Sequence, residues 1–476
     1  METNSFANRK LATNTIIYFI GNFGSKILSL LLVMIYSSYI MPNDLGVYDL
    51  ITTTILLLQP IIIFQLSDGI FRWLIEEEDP AKRQIQIKTV FSIVLINMAV
   101  STFVLLFISK LVIIPYFWYF VVLLNVNIIY PLMQQITRGL RRNILFSVVG
   151  LSVSAVLFSV SLLLIIPFNL GVEGLLLSQI ISQSVGILIM LFVQIKDFLP
   201  SFSAKSDKTI RRGLIGFSLP LIPNTISWWI INASDRYIIS WKLGTYSNGI
   251  FSMANKFPSL MTVVTSIFNL AWQESAIYES DSKKRDEFYS DIFDKYLRFL
   301  SSAALVLIPL TRIVIEKFVG ESYNDSWHYS SILYISTIFN ALAAFLGTAY
   351  VTYKKTIGAF VTTIIAAGIN LLIDIILIKF IGLYAAALST LVSYFVLFLI
   401  RAFHTRKYFV IKYKIKTISV CLLLVVASFL LTEYLPLLFV LILFLAACGI
   451  ALIYNIKTIK FFFELFVKKK GAKASD

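Results

Sequence analysis

The chain has 476 residues, 58% of them hydrophobic and 14% charged, with a formal net charge of +15. So apolar a composition excludes a water-soluble globule. The basic residues are spread through short links between apolar runs, which argues against nucleic acid as the reason for the charge.

A bilayer core of about 30 Å needs about 20 residues of helix to cross it. The first run, Ala12 to Tyr36, is too long for the core of a signal peptide, has no small-residue cleavage pattern, and carries Asn14, Asn22 and Lys26. It reads as the first spanning helix. Six more runs follow, at Gly46 to Phe71, Thr89 to Ile108, Ile113 to Ile136, Ile144 to Ile166, Val172 to Ile195 and Leu214 to Ser240. The second seven are Gly249 to Trp272, Leu297 to Ile315, Ser330 to Val351, Ile357 to Ile378, Leu383 to Ile400, Ile418 to Leu435 and Leu437 to Tyr454. The fold class expected is an all-α polytopic membrane protein with 14 transmembrane helices.

Lysine and arginine accumulate in links that stay in the cytoplasm. Of the 41 present, 33 fall in alternate links read as cytoplasmic and five in those read as external, while Lys26, Arg236 and Lys256 lie within spans. Both termini are therefore expected inside. Arg298 and Arg312, at the margins of the ninth run, have to snorkel. Cys421 and Cys448 lie in apolar runs and His328 and His404 are far apart, so neither a disulfide framework, a metal site nor a cofactor is implied.

The polar, basic link Lys196 to Arg212 follows six helices and reads as a boundary between lobes. A faint repeat agrees: Leu45-Gly46-Val47-Tyr48 resembles Asn248-Gly249-Ile250-Phe251, and Asn22 resembles Asn224. The expected plan is two pseudo-symmetric six-helix lobes, residues 1–203 and 204–400, with two additional helices and a basic tail in residues 401–476. Parallel repeats of this kind are common in transporters that rock about a central site.

In the eighth run Ser252, Asn255, Ser259, Thr262, Ser266, Asn269 and Gln273 recur at helical spacing, placing seven polar side chains on one face. Such a face either lines a watery cavity or packs on another helix through hydrogen bonds. Lys256 beside the stripe favours the cavity, because a charge at that depth needs water or a partner. In the first run Tyr18, Asn22, Lys26 and Ser29 share a face. The second supplies Asp49, Thr52, Thr53 and Gln59, then Asp68 and Arg72 one turn apart, a spacing that also suits a snorkelling interfacial pair. Asp235 and Arg236 are adjacent and point about 100° apart, so the two are not expected to face one neighbour. Asn370 and Asp374, one turn apart, suit a proton or cation site and equally a packing pair. Pro60, Pro131, Pro220, Pro223 and Pro258 allow kinks, whether fixed or mobile. No phosphate-cradling glycine loop occurs, so no ATPase is built in.

The stretches Ile20 to Leu28, Pro42 to Leu50, Leu219 to Asn224, Ser234 to Ile239, Ala254 to Phe257 and Ala271 to Glu274 resemble the polysaccharide flippases of the Wzx type. These belong to the multidrug/oligosaccharidyl-lipid/polysaccharide exporter (MOP) superfamily. The resemblance runs through most of the chain and is stronger in the first hairpin of each lobe than in the last two helices. It implies a V-shaped cavity lined largely by the first, second, seventh and eighth helices, opening alternately to the two sides of a bacterial plasma membrane. The implied cargo is undecaprenyl-diphosphate carrying a short oligosaccharide, and the implied partners are membrane lipids, H+ or Na+, a polysaccharide polymerase and other assembly proteins, with no nucleic acid.

On that reading Lys26, Arg72, Arg236 and Lys256 contact the diphosphate, and Asn22, Ser252, Asn255, Ser259, Thr262, Asn269 and Gln273 contact the sugar or its surroundings. Asp49, Asp68, Asp235 and Asp374 are the ion-coupling candidates, and they nearly cancel the four cations. A multidrug antiporter of the same superfamily is the alternative; it calls for an aromatic, net-acidic cavity, which Lys26 and Lys256 oppose. A membrane glycan polymerase is disfavoured by the short external links, the longest being Glu316 to Tyr329, so no enzyme activity is expected.

Overall fold

The computed structural model describes residues 24–198, 207–280, 282–353 and 355–471. Among these residues the regular structure is helical, as a lipid environment demands of segments that must close every backbone hydrogen bond internally. The first predicted run is described from α1 (Gly24–Tyr36) onward. Asn22, like Tyr18, lies outside the described residues.

By packing, the chain divides into two units, Met1–Ser252 and Met253–Asp476. The first unit continues with α2 (Pro42–Ile62), α3 (Leu66–Glu76), α4 (Pro80–Ile108), α5 (Phe117–Gly139), α6 (Asn143–Ile165) and α7 (Gly171–Val193). It closes with α8 (Lys208–Ser218), α9 (Ile222–Ala233) and the larger part of α10 (Asp235–Lys256). Here α7 packs on α5 and α6, and α3 packs on α5 and α8.

The second predicted run is two helices rather than one. Pro60 stands near the end of α2, and Phe64 and Gln65 turn the chain with φ of 54° and 53° before α3 begins. The Gln65 N–H closes this turn on the Pro60 carbonyl at 3.0 Å. The seventh run is broken as well: a 3-10 turn at Leu219–Leu221, containing Pro220, separates α8 from α9. Pro131, by contrast, sits inside an unbroken α5. Gly244, with φ 86° and ψ 169°, interrupts α10 and separates the seventh predicted run from the eighth, a backbone conformation that glycine adopts without steric cost.

Twelve segments of the described residues are long and apolar enough to cross a membrane. The third to sixth and ninth to fourteenth predicted runs each coincide with one of them, and Lys208–Lys256 holds the seventh run and the start of the eighth. The remainder of the eighth, α11 (Pro258–Tyr278), is the helix that bears most of the polar stripe.

The second unit contains α11, α12 (Arg285–Phe318), α13 (Ser326–Thr352), α14 (Thr356–Ile381), α15 (Leu383–His404), α16 (Ile415–Tyr434) and α17 (Leu437–Gly471). Its centre is α13, whose spanning window is 72% buried against 11% for α17. Helices α11, α12 and α15 pack on α13, and α14 packs on α15. The last pair is moored on α12: Ser428 Oγ donates to the Leu305 carbonyl at 3.1 Å and Asn455 Nδ2 to Ser302 Oγ at 2.8 Å. Away from that seam α17 exposes Leu438, Leu445 and Leu452, a surface suited to acyl chains and ill suited to water.

Candidate functional site

Two glycines set the geometry of the site, because each lets backbone lie directly on backbone. A Cβ on Gly46 would sit 1.9 Å from the carbonyl oxygen of Thr245, and one on Gly249 would sit 1.8 Å from that of Pro42. Pro42 and Thr245 each precede a glycine of the pair by four residues, so the start of α2 and the second part of α10 meet with pseudo-two-fold symmetry. The ends are stitched by side chains: Thr245 Oγ1 donates to Asn43 Oδ1, and the buried Asn248 donates from Nδ2 to the Gly46 carbonyl at 2.9 Å.

One turn further along the two helices lie Asp49 and Ser252, and Asp235 and Arg236 join them from the start of α10. Ser252 Oγ donates to Asp49 Oδ1 at 2.8 Å. The other carboxylate oxygen of Asp49 lies 3.1 Å from Arg236 Nε, and Arg236 Nη1 reaches Asp235 Oδ1 at 2.8 Å and the Asn232 carbonyl at 2.7 Å. Asp49 is 8% exposed and Asp235 3%, so two buried carboxylates share one guanidinium. A charge removed from water in this way is tolerated only when paired and hydrogen-bonded. The seam continues along α2, where Thr54 Oγ1 meets the Tyr237 hydroxyl at 2.5 Å and Trp229 Nε1 donates to the Thr53 carbonyl at 3.0 Å.

The bond to Asp49 is made by Arg236, while Asp235 is bonded to Arg236 itself. Although their Cβ atoms diverge, the long guanidinium arm folds back, so Arg236 reaches Asp235 and Asp49 together. Of the two readings left open for Asp68 and Arg72, the interfacial pair is not formed. Arg72 turns the other way along α3 to Glu76 at 2.7 Å, with both side chains well exposed, and Asp68 accepts from Gln65 Nε2 at 2.7 Å. The cluster therefore brings together Asp49, Asp235, Arg236 and Ser252, but neither Asp68 nor Arg72.

Lys26 is half-buried on α1, and Asn255 and Lys256 are half-buried in the last turn of α10. The stripe is carried by two helices, since α10 ends at Lys256 and α11 begins at Pro258. Phe257 between them keeps helical angles, φ −73° and ψ −51°, which preserves the phase of the face. Along α11 the hydroxyls turn back on the preceding turn: Ser259 Oγ donates to the Lys256 carbonyl at the end of α10 at 2.6 Å and Ser266 Oγ to that of Val263 at 2.7 Å. What packs within the second unit is a neighbouring face, buried at Met261, Thr265, Trp272 and Ala276, whereas Thr262 and Ser266 are exposed there. Trp272 anchors that face, stacked on Phe345 at 4.1 Å and donating from Nε1 to the Phe345 carbonyl at 3.1 Å. Asn269 and Gln273 complete the stripe, half-buried. Elsewhere in the second unit, Asn370 and Asp374 on α14 are fully buried, and Asn370 Nδ2 donates to Ser389 Oγ on α15 at 3.3 Å.

Asn43, Thr245 and Asn248 are not among the candidate site residues read from the sequence, although Asn248 opens one copy of the repeat. The signal for them was the internal repeat: Asp49 and Ser252 stand 203 residues apart, the same offset that relates Gly46 to Gly249.

The fold is similar to a structure titled lipid II flippase MurJ, inward closed conformation, with a TM-score of 0.69, 17% identity, and 95% of this chain and 100% of that one covered. It is also similar to the inward-facing conformation of a multidrug resistance MATE family transporter of the MOP superfamily, with a TM-score of 0.63, 13% identity, and 80% of this chain and 94% of that one covered. The outward-facing conformation of such a transporter aligns with a TM-score of 0.58 at 14% identity, over 83% of this chain and 94% of that one. No curated protein matches the sequence. Residues 11–276, more than half of the chain and including the whole of the glycine seam, match the family described as polysaccharide biosynthesis protein, and the chain belongs to that family.

Proposed function

We propose that the protein is a flippase that carries undecaprenyl-diphosphate-linked oligosaccharide from the inner to the outer leaflet of a bacterial plasma membrane by alternating access. The reading takes 14 spanning helices with both termini inside, lobes at residues 1–203 and 204–400, and a peripheral pair in 401–476. The family supports a role in polysaccharide biosynthesis, and the likeness to flippase and exporter folds supports transport rather than an enzyme.

The observation that carries the mechanism is the seam between α2 and α10. It joins two helices near the links that the charge count reads as external, through two glycines and a handful of polar groups. In the proposed cycle this seam opens outward after loading. Arg236, held by Asp49 and Asp235 when the seam is closed, exchanges a carboxylate for a diphosphate oxygen, with Lys26, Arg72 and Lys256 as further contacts. Asn22, Ser252, Asn255, Ser259, Thr262, Asn269 and Gln273 receive the glycan by hydrogen bonds. Entry of H+ or Na+ at Asp235 or Asp374 is the coupling step, since neutralising Asp235 loosens its hold on Arg236.

The test is surface glycan export in cells carrying Lys26→Ala or Arg236→Ala. Both variants are expected to insert in the membrane and to lose export. Normal export in both would remove the diphosphate role of these cations. A multidrug antiporter has the same fold, and the two carboxylates on Arg236 are its best support; it predicts restored drug resistance instead of export in a sensitive strain.

A further inference from the structure

Where α12, α16 and α17 leave their apolar segments, they enclose a cavity of about 390 Å³ lined by Asp291, Asp294, Lys295, Arg298, Lys414, Ile453, Tyr454 and Ile456. Its charges are organised around one buried carboxylate. Asp294 Oδ2 lies 2.7 Å from Arg298 Nη2 and 3.6 Å from Lys414 Nζ, so one acid holds two cations. Lys295 is occupied by Asp291 at 2.7 Å on the exposed side. The lining therefore carries three cations against two carboxylates. Donor capacity remains toward the opening: the Arg298 side chain is 35% exposed beyond its bond to Asp294, and Lys414 stands beyond hydrogen-bonding distance of its acid with its side chain 56% exposed.

The opposite wall is apolar and aromatic. Ile453 and Ile456 are exposed, and the Arg298 guanidinium lies over the Tyr454 ring, its Cζ 5.3 Å from the centroid. A cation pair beside an exposed aliphatic strip, at the level where three helices pass from apolar to polar sequence, matches the boundary between a phosphate headgroup and its chains. A free anion would leave the isoleucines in water, and a pure hydrocarbon would leave the donors unmatched.

We infer that this cavity holds the phosphate of a lipid headgroup, its oxygens on Arg298 and Lys414 and the first carbons of its chains along Ile453 and Ile456. A bilayer glycerophospholipid and a polyprenyl phosphate both present that chemistry. The site lies within the second unit and binds lipid whether or not the protein transports a glycan.

Native mass spectrometry of the full chain in detergent tests it, with dioleoylphosphatidylglycerol, undecaprenyl phosphate and, as a phosphate-free control, dioleoylglycerol as probes. The wild type is expected to retain a phosphate-bearing lipid and not dioleoylglycerol, and Lys414→Gln, at an exposed position, is expected to retain about fivefold less. Arg298→Gln should lose more, and Arg298→Lys should recover part of the loss. Retention of phosphatidylglycerol alone assigns the site to bilayer lipid, and its displacement by undecaprenyl phosphate assigns it to the carrier lipid. Equal retention by the wild type, Lys414→Gln and Arg298→Gln overturns the inference, as does equal retention of dioleoylglycerol.

Discussion

Asp49 and Ser252 occupy the same place in the two halves of the repeat, three residues after Gly46 and Gly249, and they hydrogen-bond to each other at 2.8 Å. Equivalent positions can meet in this way only next to a local two-fold axis, which here runs through the crossing of α2 and α10. The glycines let the helices touch, and the polar pair one turn away specifies how they touch.

The glycines give the first prediction. A methyl group at residue 249 has no room, because the Pro42 carbonyl lies 1.8 Å from where it would sit, and backbone cannot swing aside as a side chain can. Gly249→Ala should destabilise the seam by about 1–3 kcal/mol, the usual cost of overpacking, and expose Asn248. Measured as maleimide labelling of Asn248→Cys above the background of Cys421 and Cys448, modification should rise in the Gly249→Ala background. Gly150→Ala, where nothing lies within 4 Å, should leave it unchanged.

The charges give the second. Removing Arg236 leaves Asp49 and Asp235 buried with no cation between them, and breaking one side of a buried pair costs about 3–5 kcal/mol. Arg236→Met should therefore lower the thermal midpoint sharply. Asp49→Asn added to Arg236→Met should recover part of the loss, since the asparagine carbonyl can still accept from Ser252. A double variant no more stable than Arg236→Met would mean that the guanidinium is not balanced by Asp49.

Much of this arrangement was legible in the sequence, and the remainder was hidden for identifiable reasons. Apolar run length fixes where α4 to α7 and α12 to α17 lie, because lipid admits few alternatives to a helix. It does not report breaks: Pro60 with Phe64 and Gln65 ends α2, whereas Pro131 leaves α5 whole, and the difference depends on neighbours that a linear reading cannot see. The repeat around Gly46 and Gly249 was visible as similarity, but similarity does not say that the two copies touch. Helical spacing also does not decide which carboxylate an arginine takes, at Arg236 or at Arg72, because its arm is long enough to choose among carboxylates on either side of its own Cβ.

Trp272 gives the third prediction. Its ring is buried, stacked 4.1 Å from Phe345, and its Nε1 is bonded to the Phe345 carbonyl. Trp272→Ala should cost about 3–5 kcal/mol through the cavity it leaves. Trp272→Phe keeps most of the stacking and loses the donor, while the Phe345 carbonyl keeps its bond within α13, so its cost should be nearer 0.5–1.5 kcal/mol, about the net worth of one hydrogen bond. Thermal unfolding of the two variants in the same detergent separates packing from the hydrogen bond.

The two faces of α11 give the fourth. Thr262 and Thr265 are three residues apart, yet Thr262 is exposed within its unit and Thr265 is buried. Both hydroxyls are bonded to carbonyls of the same helix turn, Thr262 to Pro258 at 3.4 Å and Thr265 to Thr262 at 2.9 Å. If the stripe receives a glycan, Thr262→Val should lower surface export while shifting stability by no more than about 0.5 kcal/mol, as exposed substitutions usually do. Thr265→Leu should do the reverse, losing about 1–3 kcal/mol to overpacking with export per folded molecule near the wild-type level. Export measured against the amount of protein in the membrane distinguishes the two. A Thr262→Val variant that exports normally would leave the polar face without a role in cargo binding, and its hydroxyls would then serve only the helix that carries them.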